Sequence, residues 1–63
     1  MIGENIKKIR KKKNISQDRL SKLADITHTT LAKIEAGINI NPTIKTLKKI
    51  ADALKVGVDD LIK

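Results

Sequence analysis

The side chains of this 63-residue chain that could do chemistry fall in two places. Residues 27–33 read Thr-His-Thr-Thr-Leu-Ala-Lys and set the single histidine among hydroxyls and one lysine, while Lys7 to Lys13 holds six of the fourteen basic residues. Both are sets for binding rather than for making bonds. With one His, no Cys, no Gly-rich phosphate loop and no carboxylates paired to form a pocket, the chain offers no nucleophile with its base and no transition-metal cluster. No enzyme activity, metal or cofactor is expected. Fourteen Lys and Arg against seven Asp and Glu give a net charge of +7 and a pI near 10.0, which points at an acidic partner. Phe, Tyr and Trp are all absent, which removes the platforms on which single-strand and RNA modules stack splayed bases. A nucleic-acid partner would therefore be a duplex. A basic run on a helix is more often a solvated face, so Lys7 to Lys13 is read first as a source of long-range attraction and only second as direct contacts.

A very small fold has to position these groups. Sixty-three residues make one domain, 1–63, and a domain of this size buries only about 60% of the surface its unfolded chain exposes. Without Cys there is neither a disulfide framework nor a thiolate zinc site. No apolar run exceeds three residues, far below the roughly 20 that a membrane span needs, and Met1-Ile2-Gly3-Glu4 does not open a signal peptide. The expectation is a soluble cytoplasmic protein with no membrane contact and no small-molecule effector.

Hydrophobic periodicity predicts five short helices and no strand. Ile2, Ile6 and Ile9 mark one stripe of a first helix over about residues 2–13, ended by Asn14, which tolerates the left-handed conformation. Ser16 caps a second helix from Gln17 to Ala24, with Leu20, Leu23 and Ala24 as its buried stripe. Thr27 caps a third, with Leu31 and Ile34 inward, and Gly37 closes it. Thr43 caps a fourth, in which Ile44, Leu47, Ile50, Ala51 and Leu54 repeat at helical spacing, and Gly57 caps a short fifth with Val58, Leu61 and Ile62 inward. The aliphatic core is thin, and a stability of roughly 3–5 kcal/mol is expected at this size.

Two short helices joined by a tight turn form a helix-turn-helix, whose second helix enters the major groove of B-DNA. Gln17 through Ala36 fit that unit. Ser21 supplies a small contact, Asp25 sits at the turn, and Leu20, Ala24, Ile26, Leu31 and Ile34 are apolar where the crossing requires it. Thr27, His28, Thr29, Thr30, Ala32 and Lys33 remain exposed on the third helix and are short or polar, as suits a close approach to base edges.

At this point the chain resembles the Cro/repressor (XRE) helix-turn-helix proteins of phages and bacteria. The resemblance spans essentially the whole chain. It rests on Ile9-Arg10, Ile15-Ser16-Gln17 with Leu20, Leu31 with Ile34-Glu35 and Gly37, Pro42-Thr43, and Ile50-Ala51 with Ala53-Leu54, Val56, Val58-Asp59 and Leu61. It implies a lambda-repressor-like all-α domain of five helices that binds a near-palindromic operator as a dimer, with helix 27–36 in the major groove. The resemblance puts His28, Thr29 and Lys33 at base-reading positions. Lys33 suits guanine O6 and N7, and Thr29 a thymine methyl or a base edge. It puts Gln17, Thr27, Thr30, Asn39, Asn41, Thr43 and Lys45 against the backbone, with the Gln17 side chain bracing the third helix. It pairs Glu35, a carboxylate at the unfavourable end of a helix dipole, with Arg10. It implies a homodimer through the last turn and helix, for which Val56, Val58 and Ile62 are candidates.

Asn14, Asp25 and Lys55 stand where the family often has Gly, and a left-handed Lys55 costs on the order of 1 kcal/mol. Ile38 and Ile40 stand in the loop where many relatives carry polar or basic residues, which weakens the expectation of phosphate contacts there; one of the two is expected instead to pack inward or touch a second subunit. The leading function is a sequence-specific duplex-DNA-binding transcriptional regulator acting by repression. The alternative is a protein-interaction module of the same fold, antitoxin-like, with weak or no DNA readout. A membrane-surface peptide is disfavoured by the missing aromatics and the four later helices.

Overall fold

The computed structural model describes residues 2–38 and 41–63. Five helices follow one another: α1 Ile2–Lys12, α2 Gln17–Leu23, α3 His28–Glu35, α4 Ile44–Leu54 and α5 Val58–Ile62. No strand occurs among the described residues. Each boundary has a local cause. The side chains of Ser16, Thr27 and Thr43 accept from the backbone N–H of Arg19, Thr30 and Thr46 at 3.1 Å, so α2, α3 and α4 all begin on a hydroxyl cap. Gly57 has no side chain to cap α5, and Asp60 compensates by accepting from the Gly57 N–H at 3.0 Å. That bond, with a further one from Lys63, holds the Asp60 carboxyl below its ordinary pKa.

The first four helices end in one way. Asn14, Asp25, Gly37 and Lys55 are left-handed, with φ of 58°, 56°, 79° and 59°. In each case the next residue donates its N–H back to the carbonyl five positions earlier: Ile15 to Arg10, Ile26 to Ser21, Ile38 to Lys33 and Val56 to Ala51. This is the Schellman arrangement, and it usually brings an apolar contact from that next residue. Ile15, Ile26 and Val56 do pack on the core, whereas Ile38 is 72% exposed. Ile38 is thus not the one of the two loop isoleucines that packs inward; Ile40 and Asn39 lie outside the described residues.

The core consists of Ile6, Leu20, Ala24, Leu31, Ile34, Leu47, Ile50, Ala51, Leu54 and Leu61. Through it α1 packs on α3 and α5, α2 on α3 and α4, and α4 on α5. Three residues expected inward are outside. Leu23 is 52% exposed because Leu20, Ser21 and Ala24 define the inner face of the short α2, and Leu23 stands to one side of them. Ile44, 72% exposed, opens α4 a full turn before Leu47, where the buried stripe starts. Ile62 is 55% exposed because Leu61 alone plugs the core from α5, and its neighbour turns outward in the final position of the helix.

Two tertiary contacts complete the fold. Asn5 Nδ2 donates to the carbonyls of Leu61 at 2.9 Å and Lys63 at 3.1 Å, fastening the end of α5 to α1. Gly3 is buried where α1 crosses the end of α3, and a Cβ there would collide with the Ile34 carbonyl and crowd Glu35. Gly3→Ala should therefore destabilise the protein by about 1–3 kcal/mol in urea unfolding, although Ala is the better helix former; an unchanged or higher midpoint would refute the close approach.

Candidate nucleic-acid interface

The α2–α3 unit carries the exposed polar groups, and it is held from behind. Arg10 Nε donates to Glu35 Oε2 and its terminal Nη2 to Oε1, both at 3.0 Å, while Nη1 donates to the Ile15 carbonyl at 3.0 Å. The two side chains are only 11% and 4% exposed, so this is a buried bidentate pair. It joins α1, the turn after it and the last turn of α3. The Ser21 hydroxyl, buried where α2 meets its neighbours, donates to the Asp18 carbonyl at 2.6 Å and so leaves no polar atom unpaired.

With Leu31 and Ile34 buried, α3 turns its remaining faces outward. His28 is its first residue, and His28, Thr29 and Lys33 are all exposed. Thr29 and Lys33 are four residues apart and share a face; His28 stands at the N-terminal edge of it, with the small Ala32 between. Thr27 Oγ1 lies 2.7 Å from Thr30 Oγ1, and Thr43 Oγ1 donates to Thr46 Oγ1 at 2.9 Å, so the two caps have the same Thr-x-x-Thr construction. The uncapped amides of the first turns of α2, α3 and α4 are suited to anion binding. Gln17 opens α2 and is half-buried. Asn41, Thr43 and Lys45 are exposed before and within the start of α4. Val56 and Val58 are half-buried against the core and Ile62 is exposed, which leaves only part of that candidate surface available.

A sequence profile described as helix-turn-helix matches residues 6–61, nearly the full length. The chain belongs to the XRE-type helix-turn-helix family. The HTH-type transcriptional regulator SinR of Bacillus subtilis (strain 168) is 37% identical over 62 residues, which cover 98% of this chain and 56% of SinR. The immunity repressor protein of Bacillus phage phi105 is 34% identical over 61 residues, covering 97% of this chain and 42% of the repressor. A crystal structure of SinR, described as the master regulator for biofilm formation, in complex with DNA matches with a TM-score of 0.96 at 36% identity over 100% of both chains. The XRE-type chain thus spans about half the length of the curated relatives it matches.

Among the described residues of the family member, no helix is long and apolar enough to cross a membrane. Two features escaped the sequence-based expectations, the Asn5 clasp and the Gly3 crossing. A polar residue beside the stripe of Ile2, Ile6 and Ile9, and a glycine inside a helix, were their only signals.

Removing one partner of a buried pair strands the other charge and costs about 3–5 kcal/mol, comparable to the whole stability expected for this size. Glu35→Ala should therefore abolish the cooperative thermal transition or lower its midpoint steeply by circular dichroism; an unchanged midpoint would show that the pair holds nothing together.

Proposed function

We propose that this chain is a sequence-specific duplex-DNA-binding transcriptional repressor that occupies a near-palindromic operator as a symmetric dimer. One observation carries the reading: the face of α3 bearing Thr29 and Lys33, bounded by hydroxyl-capped helix starts, belongs to a fold matching a DNA-bound regulator along its entire length. In this reading α3 lies in the major groove. Lys33 donates to guanine O6 and N7, Thr29 meets a thymine methyl or a base edge, and His28 contacts the first base the helix reaches.

Gln17, Thr27, Thr30, Asn41, Thr43 and Lys45, with Asn39 from the loop, hold phosphates and so set register without reading sequence. The Thr43 hydroxyl accepts from the Thr46 N–H and donates to the Thr46 hydroxyl, so Thr43 acts on a phosphate by orienting Thr46 and not by donating its own proton. The Thr46 hydroxyl and the first amides of α4 then supply the donors. The resemblance to a phage immunity repressor supports repression, by promoter occupancy, as the outcome of binding.

Dimerisation through Val56, Val58 and Ile62 would place the two reading helices in half-sites about 34 Å apart. The experiment that tests the reading is selection from randomised duplexes. A palindromic site should be recovered, and affinity should fall steeply with salt. Failure to enrich any motif would favour the interaction module instead.

On the recovered site, Lys33→Ala should relax base preference at one position per half-site by about 1–3 kcal/mol, whereas Lys45→Ala should weaken all sequences alike and lower the salt slope by about one. Competition binding against single-base variants separates the two; equal loss at every position for Lys33→Ala would remove it from base reading. Val58→Asp should shift sedimentation toward monomer at concentrations where the parent chain dimerises, and an unaltered profile would place the dimer contact elsewhere.

A further inference from the structure

α1 has two faces with different partners. Gly3, Ile6 and Arg10 are its buried stripe, with Gly3 and Arg10 against the end of α3, and Asn5 reaches α5 on the adjoining side. At about 3.6 residues per turn, Glu4, Lys8, Lys11 and Lys12 fall away from that stripe, and Lys7, four residues after Gly3 and three before Arg10, stands at its edge. Glu4, Lys7, Lys8 and Lys11 line one shallow crevice, and they and Lys12 are all exposed. α3 is likewise buried along Leu31 and Ile34 and turns Thr29 and Lys33 outward. Gly3 and Arg10 turn toward the end of α3 while Lys8 and Lys12 turn away from it, so the outer part of this basic face lies off the side of α1 that meets α3.

Its charge is uncompensated. The ion pairs formed among the described residues use Arg10, Lys22 and Lys63 as their cations, and none uses Lys7, Lys8, Lys11 or Lys12. Glu4 is one turn from Lys7 and Lys8 yet pairs with neither. Lys7 with Lys8 and Lys11 with Lys12 make two rungs about 6 Å apart along the helix axis.

The face also lacks what other partners need. The large exposed apolar residues, Leu23, Ile38, Ile44 and Ile62, all stand on other segments. A protein interface is built on an apolar or aromatic centre, and a membrane-surface helix buries an apolar face. Concentrated positive charge without an apolar anchor suits a phosphate backbone bound without sequence preference.

We propose that the exposed lysines of α1 form a second duplex-DNA surface, through which the protein holds a second DNA segment while α3 occupies the first. The inference rests on the DNA-reading role of α3.

Its test is a bridging assay. A biotinylated duplex carrying the selected site is saturated with protein on a bead, washed, and offered a labelled duplex of unrelated sequence at low salt and at about 200 mM salt. The parent protein should retain the labelled duplex at low salt and release it as salt rises. The variant K7Q/K8Q/K11Q/K12Q should lose about tenfold or more of that capture, while its affinity for the selected site, which loses only the long-range attraction of these charges, falls several-fold less. The charge-retaining K7R/K8R/K11R/K12R should capture like the parent. An unchanged circular dichroism spectrum keeps folding out of the comparison.

No capture by the parent protein, or capture unaltered by the Gln substitutions, overturns the proposal. Loss of site affinity in step with capture also overturns it, because α1 then lies on the first duplex. If selection recovers no site, the reading of α3 fails instead; the proposal is then decided by whether immobilised protein holds the unrelated duplex through these lysines.

Discussion

Arg10 and Glu35 meet through two parallel hydrogen bonds, and the same guanidinium holds the Ile15 carbonyl, so one side chain ties α1, the turn that follows it and the end of α3. The rest of the molecule needs this because its core is aliphatic throughout, and hydrophobic attraction carries no direction. Ten buried aliphatic residues bring the helices together without fixing how α3 is rotated against α1. A forked, charge-assisted pair fixes both distance and orientation. It also neutralises a carboxylate that would otherwise face the negative end of its own helix.

Much of this architecture was legible in the chain because the signals are local. Ser16, Thr27 and Thr43 cap the helices they were expected to cap, since an N-cap needs only its own hydroxyl and the amide three residues on. Asn14, Asp25 and Lys55 adopt the left-handed conformation expected of residues standing in for Gly, and Lys55 does so without a side chain suited to it. Burial was less legible wherever a helix is short. In α2 and α5 a single turn separates the inner face from the outer, so periodicity could not choose between Leu20 and Leu23, or between Leu61 and Ile62. Ile44 follows the right period but precedes the place where the core begins.

The candidate interface shows the same division. The exposure of His28, Thr29 and Lys33 followed from the helix-turn-helix spacing, because Leu31 and Ile34 define the opposite side of α3. The coupling of Thr27 to Thr30 and of Thr43 to Thr46 was hidden: it depends on which hydroxyl donates, and that is a matter of geometry. Net charge likewise gave an amount without an arrangement. The structure buries one arginine, sets one lysine on the outer face of α3, gathers a separate row along α1 and spreads the rest over the other segments.

The bond from Asn5 to the Leu61 carbonyl joins residues 56 positions apart and shuts the chain into a ring almost as long as itself. Closing so long a loop costs more entropy than any neighbouring helix contact, although the cost grows only logarithmically with length. The Schellman turns are local, whereas α5, too short to persist alone, depends on packing against α1 and α4. The contacts between α1 and α5 are thus the most non-local of this otherwise local bundle, and they carry its largest loop-closure cost.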